Sequence, residues 1–135
     1  MMFDAVLFPR AQCTSGEREE LISTVRKMVE LSEQATREGI LALANSAEKS
    51  DSFSAAGLRR VVDGVDPKQL HQELAALLAS ERSHGKALLE RMIMAEAIQG
   101  INDGLSPRVL ELKLLAYLGD HIFLRIMKQR ETRQS

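Results

Sequence analysis

The sequence predicts an all-α protein, a single helical domain of four or five helices reversed at two repeated Gly-x-x-Pro helix-helix joints. Three observations predict it. Aromatic residues make up only 4% of the 135-residue chain and Trp is absent, while Ala, Leu, Glu and Gln are plentiful; these are good helix formers. Apolar residues recur at three- and four-residue intervals after Thr14, the period of a helix with one buried face. Finally, Asp63-Gly64-Val65-Asp66-Pro67 returns forty positions later as Asp103-Gly104-Leu105-Ser106-Pro107. The length suits one domain whose core needs neither metal nor disulfide.

Residues 1–13 read as a flexible N-terminal extension. The start, MMFDAVLF, carries Asp4 in place of a basic region, and its apolar run is too short for a signal peptide. Thr14 and Glu17 have the spacing of a capping box, in which the hydroxyl accepts from a helix-start N–H and the carboxylate reaches back. A first helix is predicted from there to about Ala47, with Leu21, Ile22, Val25, Met28, Val29, Ala35, Ile40 and Leu43 on its apolar face. The turn-rich SAEKSDSFSA interrupts it. A short second helix, Ala55 to Val62, ends at Asp63-Gly64.

Gly64 suits the left-handed residue that stops a helix. Asp66 is placed to accept from orphan N–H groups of the next helix, and Pro67 fits its first turn, where a missing N–H has no consequence. Gly104, Ser106 and Pro107 fill the same roles in the second copy. Each motif therefore reads as helix stop, link, helix start: a joint in preference to a binding loop. Behind the prolines, Leu70, Leu74 and Leu78 match Leu110, Leu114 and Leu118, and residues four apart share a helix face. Both copies thus present a leucine stripe that must be covered. The third helix is predicted from Pro67 to around Met92, with continuation to Asn102 and a bend or interruption near Gly85. The final helix starts at Pro107, with Gly119-Asp120 as a break point, and residues 129–135 read as a frayed tail. The helical domain is accordingly 14–128.

Function classes can be narrowed. Eighteen basic and 19 acidic residues are interspersed, for a net charge of −1; without a global field, nucleic acid and anionic membrane surfaces are poor partners. No window approaches the roughly 18 to 20 apolar residues of a membrane-spanning helix, and the lone Cys13 cannot close an internal disulfide. The expectation is a cytoplasmic protein with no direct membrane insertion. Catalytic chemistry finds no support. Glu81 and His84 form Glu-x-x-His, the helical spacing of di-iron bundles, but no second copy exists. His71 and His121 lack ligand-spaced partners, Ser15, Ser46, Ser52 and Ser54 sit in turn or cap contexts, and no glycine-rich phosphate loop is present. Met92 and Met94 read as core fillers. No enzyme activity, cofactor or metal site is expected; a helical-bundle metal protein or enzyme using Glu81 and His84 is the minor alternative, a generic scaffold the bland one.

Three segments, ELSEQATREGILALANSAEKSD, LRRVVDGVDPKQLHQEL and IMAEAIQGINDGLSPRVLELKLLAYL, resemble in order the cytoplasmic parts of flagellar stator subunits of the MotA/TolQ/ExbB family, over roughly Met28 to Leu118. In that family membrane spans precede the Arg-Glu-Gly segment and separate the two later blocks. Here SERSHGKALLERMIMAEA passes directly between those blocks, so the resemblance carries no ion path. Two charged positions that engage the rotor in relatives fall on Thr36 and Ala44. The resemblance implies a soluble MotA-like interaction protein, or the cytoplasmic portion of a larger stator, contacting a flagellar rotor or stator component. Its interaction surface is expected at Arg37, Glu38, Arg59 and Arg60. A homo-oligomer is also expected, because Leu21, Ile22, Val25 and Val29 would form an exposed apolar stripe on an isolated helix end.

Overall fold

The computed structural model describes residues 7–80 and 82–134. Among them every regular element is helical. The α-helices are α1 (Ser15–Glu20), α2 (Ile22–Glu38), α3 (Leu43–Glu48), α4 (Ser52–Val62), α5 (Pro67–Ala79), α6 (Gly85–Asn102), α7 (Pro107–Ala116) and α8 (Asp120–Gln134), with 3-10 turns at Phe8–Ala11 and Ile40–Ala42. The all-α class stands, with eight α segments among the described residues in place of four or five.

The additional segments come from breaks inside helices that the periodicity runs together. At the first, α1 opens on the Thr14/Glu17 capping box, with Thr14 Oγ1 accepting from Glu17 N at 3.1 Å and Thr14 N donating to Glu17 Oε1 at 2.9 Å, and passes into α2 at Leu21. At the second, α2 stops at Gly39, whose φ of 92° costs an L-residue, and the chain resumes as a 3-10 turn and α3. The predicted third helix separates into α5 and α6, with His84 in extended backbone before Gly85. The predicted final helix separates at Gly119, φ 92°, the break point expected from Gly119-Asp120. Asp51, which the periodicity does not single out, caps α4 by accepting from Ser54 N at 2.9 Å, so that helix begins at Ser52.

Helix α6 is the axis of the molecule. It packs against α2, α4, α5, α7 and the first 3-10 turn, and every residue from Met92 to Ile101 is buried. A helix surrounded on all sides has no polar face to display, hence the continuous run MIMAEAIQGI. Met92 and Met94 are both core residues. Where α6 meets α7 the approach is close: a Cβ on Gly100 would lie 2.6 Å from Leu110 Cδ1 and 3.2 Å from Leu105 Cδ1. Leu70, Leu74, Leu78, Leu110, Leu114 and Leu118 are all buried.

Leu21, Val25 and Val29 are buried within one chain, because α2 lies against α6 and α7. Three of the four residues of the stripe that motivated an oligomer are thereby covered within one chain, while Ile22 is half-buried, which removes most of that argument for self-association. From Leu7 onward the N-terminal stretch is part of the body: Ala11 is buried, and the Phe8 ring stacks on Tyr117 with centroids 5.6 Å apart. Residues 1–6 lie outside the described residues. At the other end α8 continues through the stretch expected to fray, and Arg130 pairs with the buried Glu111 of α7.

Candidate interaction surface

The two joints share one geometry. At the first, Gly64 has φ 76°, Gly64 N donates to Val61 O at 3.0 Å, and Val65 N donates to Arg60 O at 3.2 Å. At the second, Gly104 has φ 77°, Gly104 N donates to Ile101 O at 3.1 Å, and Leu105 N donates to Gly100 O at 3.0 Å. This paired pattern is the Schellman closure of a helix end. Each following helix is capped by the residue before its proline. Asp66 accepts from Lys68 N at 3.0 Å and Gln69 N at 3.3 Å, and Ser106 Oγ accepts from Val109 N at 3.3 Å; Pro67 and Pro107 occupy the first helical positions.

The joints are also tied to one another. Gln99, buried in α6, donates from Nε2 to Pro67 O at 3.0 Å and to Asp103 Oδ1 at 3.2 Å, while Asn102 Nδ2 donates to Val65 O at 3.4 Å. The side-chain amides of the second joint therefore hold the backbone of the first. A buried bond of this kind is worth about 0.5–1.5 kcal/mol net, and fixes relative position besides. The sequence alone does not reveal this latch, since Gln and Asn near a helix end read as ordinary surface residues.

Two corners carry the four proposed contact residues. Arg37 and Glu38 close α2 at Gly39, both exposed, with neither in an ion pair or side-chain hydrogen bond among the described residues. Next to them Leu41 is 76% exposed, the most open of the large apolar side chains among those described. Thr36 is exposed and its hydroxyl donates to Ser32 O at 3.0 Å; Ala44 is exposed on α3. Arg59 and Arg60 end α4, and they differ. Arg59 is exposed and likewise unpaired among the described residues. Arg60 is held by Glu73 of α5 through two bonds, Nε to Oε1 at 2.8 Å and Nη2 to Oε2 at 3.0 Å, with Asp63 at 3.5 Å. Its hydrogen bonds, together with one from Gln69, hold the Glu73 carboxyl below the usual range. Arg60 thus clasps α4 to α5. No bond joins Arg37 or Glu38 to Arg59 or Arg60 among the described residues.

The metal-site candidate separates similarly. Glu81 lies outside the described residues; His84 stands in the connection ahead of α6, beyond the end of α5 at Ala79. The connection from Arg82 to His84 is not helical, and the pairing of Glu81 with His84 falls outside the described residues. Among the described residues no group of three or more His, Cys, Asp or Glu is placed to hold a metal ion. His121 is exposed, His71 is half-buried on α5, and Cys13 is a half-buried free thiol packed against the core. Among the described residues the buried acids are Glu96 and Glu111, and both have partners: Tyr117 Oη donates to Glu96 Oε1 at 3.1 Å, and Arg130 pairs with Glu111.

With this geometry in place, the sequence can be set beside known proteins. Over 54 residues, 39% of the chain, it is 43% identical to Motility protein A of Borreliella burgdorferi. The relationship is MotA-like. The chain spans only 21% of that relative's length, so the similarity concerns a portion of a MotA protein. No family model matches the chain, and no solved structure matches it. Among the described residues, no helix is long and apolar enough to cross a membrane.

Proposed function

We propose that this chain is a MotA-like interaction module of the MotA/TolQ/ExbB family, acting in the cytoplasm on a flagellar motor or related membrane complex. It works through protein-protein contacts, with neither ion conduction nor catalysis of its own. The observation that carries the reading is the 54-residue likeness to Motility protein A. The contact surface is the corner at Gly39, where Arg37, Glu38 and Leu41 are exposed together, with Arg59 as a further cation unpaired among the described residues. An apolar side chain ringed by charges is the usual anatomy of a contact. Arg60 serves the fold through Glu73.

The test is site-specific photo-crosslinking in the native cell, with the probe at position 41 and, as control, at the exposed Ala76 of α5. Capture of a stator or rotor component from position 41 alone is the expected outcome. Capture of no motor component, or equal capture from both positions, overturns the proposal.

A further inference from the structure

A second surface lies where α2, α7 and α8 meet. A groove with a cavity volume of about 120 Å³ opens there. Its floor is apolar: half-buried Ile22 from α2 and Ile126 from α8, lying over the buried Val25 of α2 and Leu115 of α7. Its rim is basic: Arg26 from α2, with Arg130 and Arg133 one turn apart on α8. The single acid in the lining, Glu111, is 6% exposed and already paired with Arg130. Arg26 and Arg133 are exposed, and neither has an ion-pair partner among the described residues. Three guanidiniums against one carboxylate leave two cations unmatched around an apolar floor. Some cations elsewhere on this protein are answered by an acid across a helix interface, as Arg125 is by Glu19 at 2.6 and 2.8 Å and Lys86 by Glu20; here two unmatched guanidiniums share one apolar groove.

We infer that this groove docks an acidic amphipathic segment of a partner protein, its apolar side chains against Ile22 and Ile126 and its carboxylates on Arg26 and Arg133. Charge complementarity selects the sign of the partner. The apolar floor selects a peptide over a free anion, since an anion alone would leave Ile22 and Ile126 wet. Guanidinium groups favour carboxylates because their planar fork matches two oxygens at once. The surface is separate from the Gly39 corner and stands independently of the motility reading.

Fluorescence anisotropy of the full chain tests it, using a labelled helical peptide with leucines and glutamates on one face. The same peptide with lysines for glutamates, and inorganic phosphate as competitor, complete the set. Binding of the acidic peptide should weaken at least about tenfold in the lysine peptide and in the Arg26→Glu/Arg133→Glu variant. An Arg108→Glu control, reversing an exposed charge near the start of α7, should stay within about twofold. The melting temperature of the double variant should match the parent; if it does not, Arg26→Gln and Arg133→Gln replace it, with the same expected order. Equal binding of both peptides, undiminished binding by the rim variants, or displacement by millimolar phosphate, which marks an anion site only, overturns the inference.

Discussion

At the scale of single residues, backbone sign and packing distance decide most outcomes. Gly64 and Gly104 sit at φ 76° and 77°, and no heavy atom lies within 4 Å of where a Cβ would stand on either, so alanine there meets only the left-handed penalty. Gly64→Ala and Gly104→Ala should each cost about 1–2 kcal/mol in chemical denaturation, and by similar amounts, because the two joints are built alike. Gly100→Ala has normal helical backbone but no room beside Leu110 and Leu105; overpacking should cost about 1–3 kcal/mol. Leu74→Ala and Leu114→Ala, at 1% and 0% exposure, should cost about 2–5 kcal/mol each. No measurable loss of stability at either leucine would contradict their burial. Residue chemistry at the joints was readable in advance, since glycine before a capped proline has few uses other than a turn. Gln99 was not, because its role depends on Pro67 O, which only the folded chain brings near.

At the scale of elements, the connections between helices are held by charge-assisted bonds whose pH response has a definite sign. The Arg60 hydrogen bond lowers the Glu73 pKa, the Arg125 hydrogen bond lowers that of Glu19, and the Thr14 backbone N–H lowers that of Glu17. Carboxyls depressed in the folded state stabilise it fully above their unfolded value of about 4.3 and lose that contribution as pH falls through their folded values. The melting temperature should therefore decline below about pH 4, and the decline should be shallower in Glu73→Gln, and at high salt, than in the parent at low salt. Calorimetry across that range checks it; an equally steep decline in the variant would show the clasp to be idle. Helix boundaries were the least legible feature. The pattern Leu21 to Leu43 fits one helix throughout, and an interior glycine costs a helix only about 1 kcal/mol, so nothing local marks Gly39 as a stop. The stop is tertiary: α3 packs on α4, which a straight α2 could not permit. Similarly, from Met92 to Ile101 α6 lacks the alternation of faces that announces a helix end, because every residue there is buried.

At the scale of the whole molecule, a packed body presents a few uncommitted charges. Arg37→Glu and Arg59→Glu should leave stability within about 0.5 kcal/mol while altering partner capture from the Gly39 corner, whereas Arg60→Glu should lower stability by breaking the α4–α5 clasp. The ordering, read by parallel denaturation and crosslinking, separates contact from scaffold. The fold class was legible from composition and period; the candidate surface was legible only in part, since sequence cannot distinguish Arg59, unpaired among the described residues, from Arg60, which is engaged. The position of α6 carries one more implication. With neighbours on every side and two latched turns at its end, its amide protons can reach solvent only when the rest of the chain lets go, so in deuterium exchange Met92 to Ile101 should form the slowest set, and their exchange free energy should equal that of global unfolding.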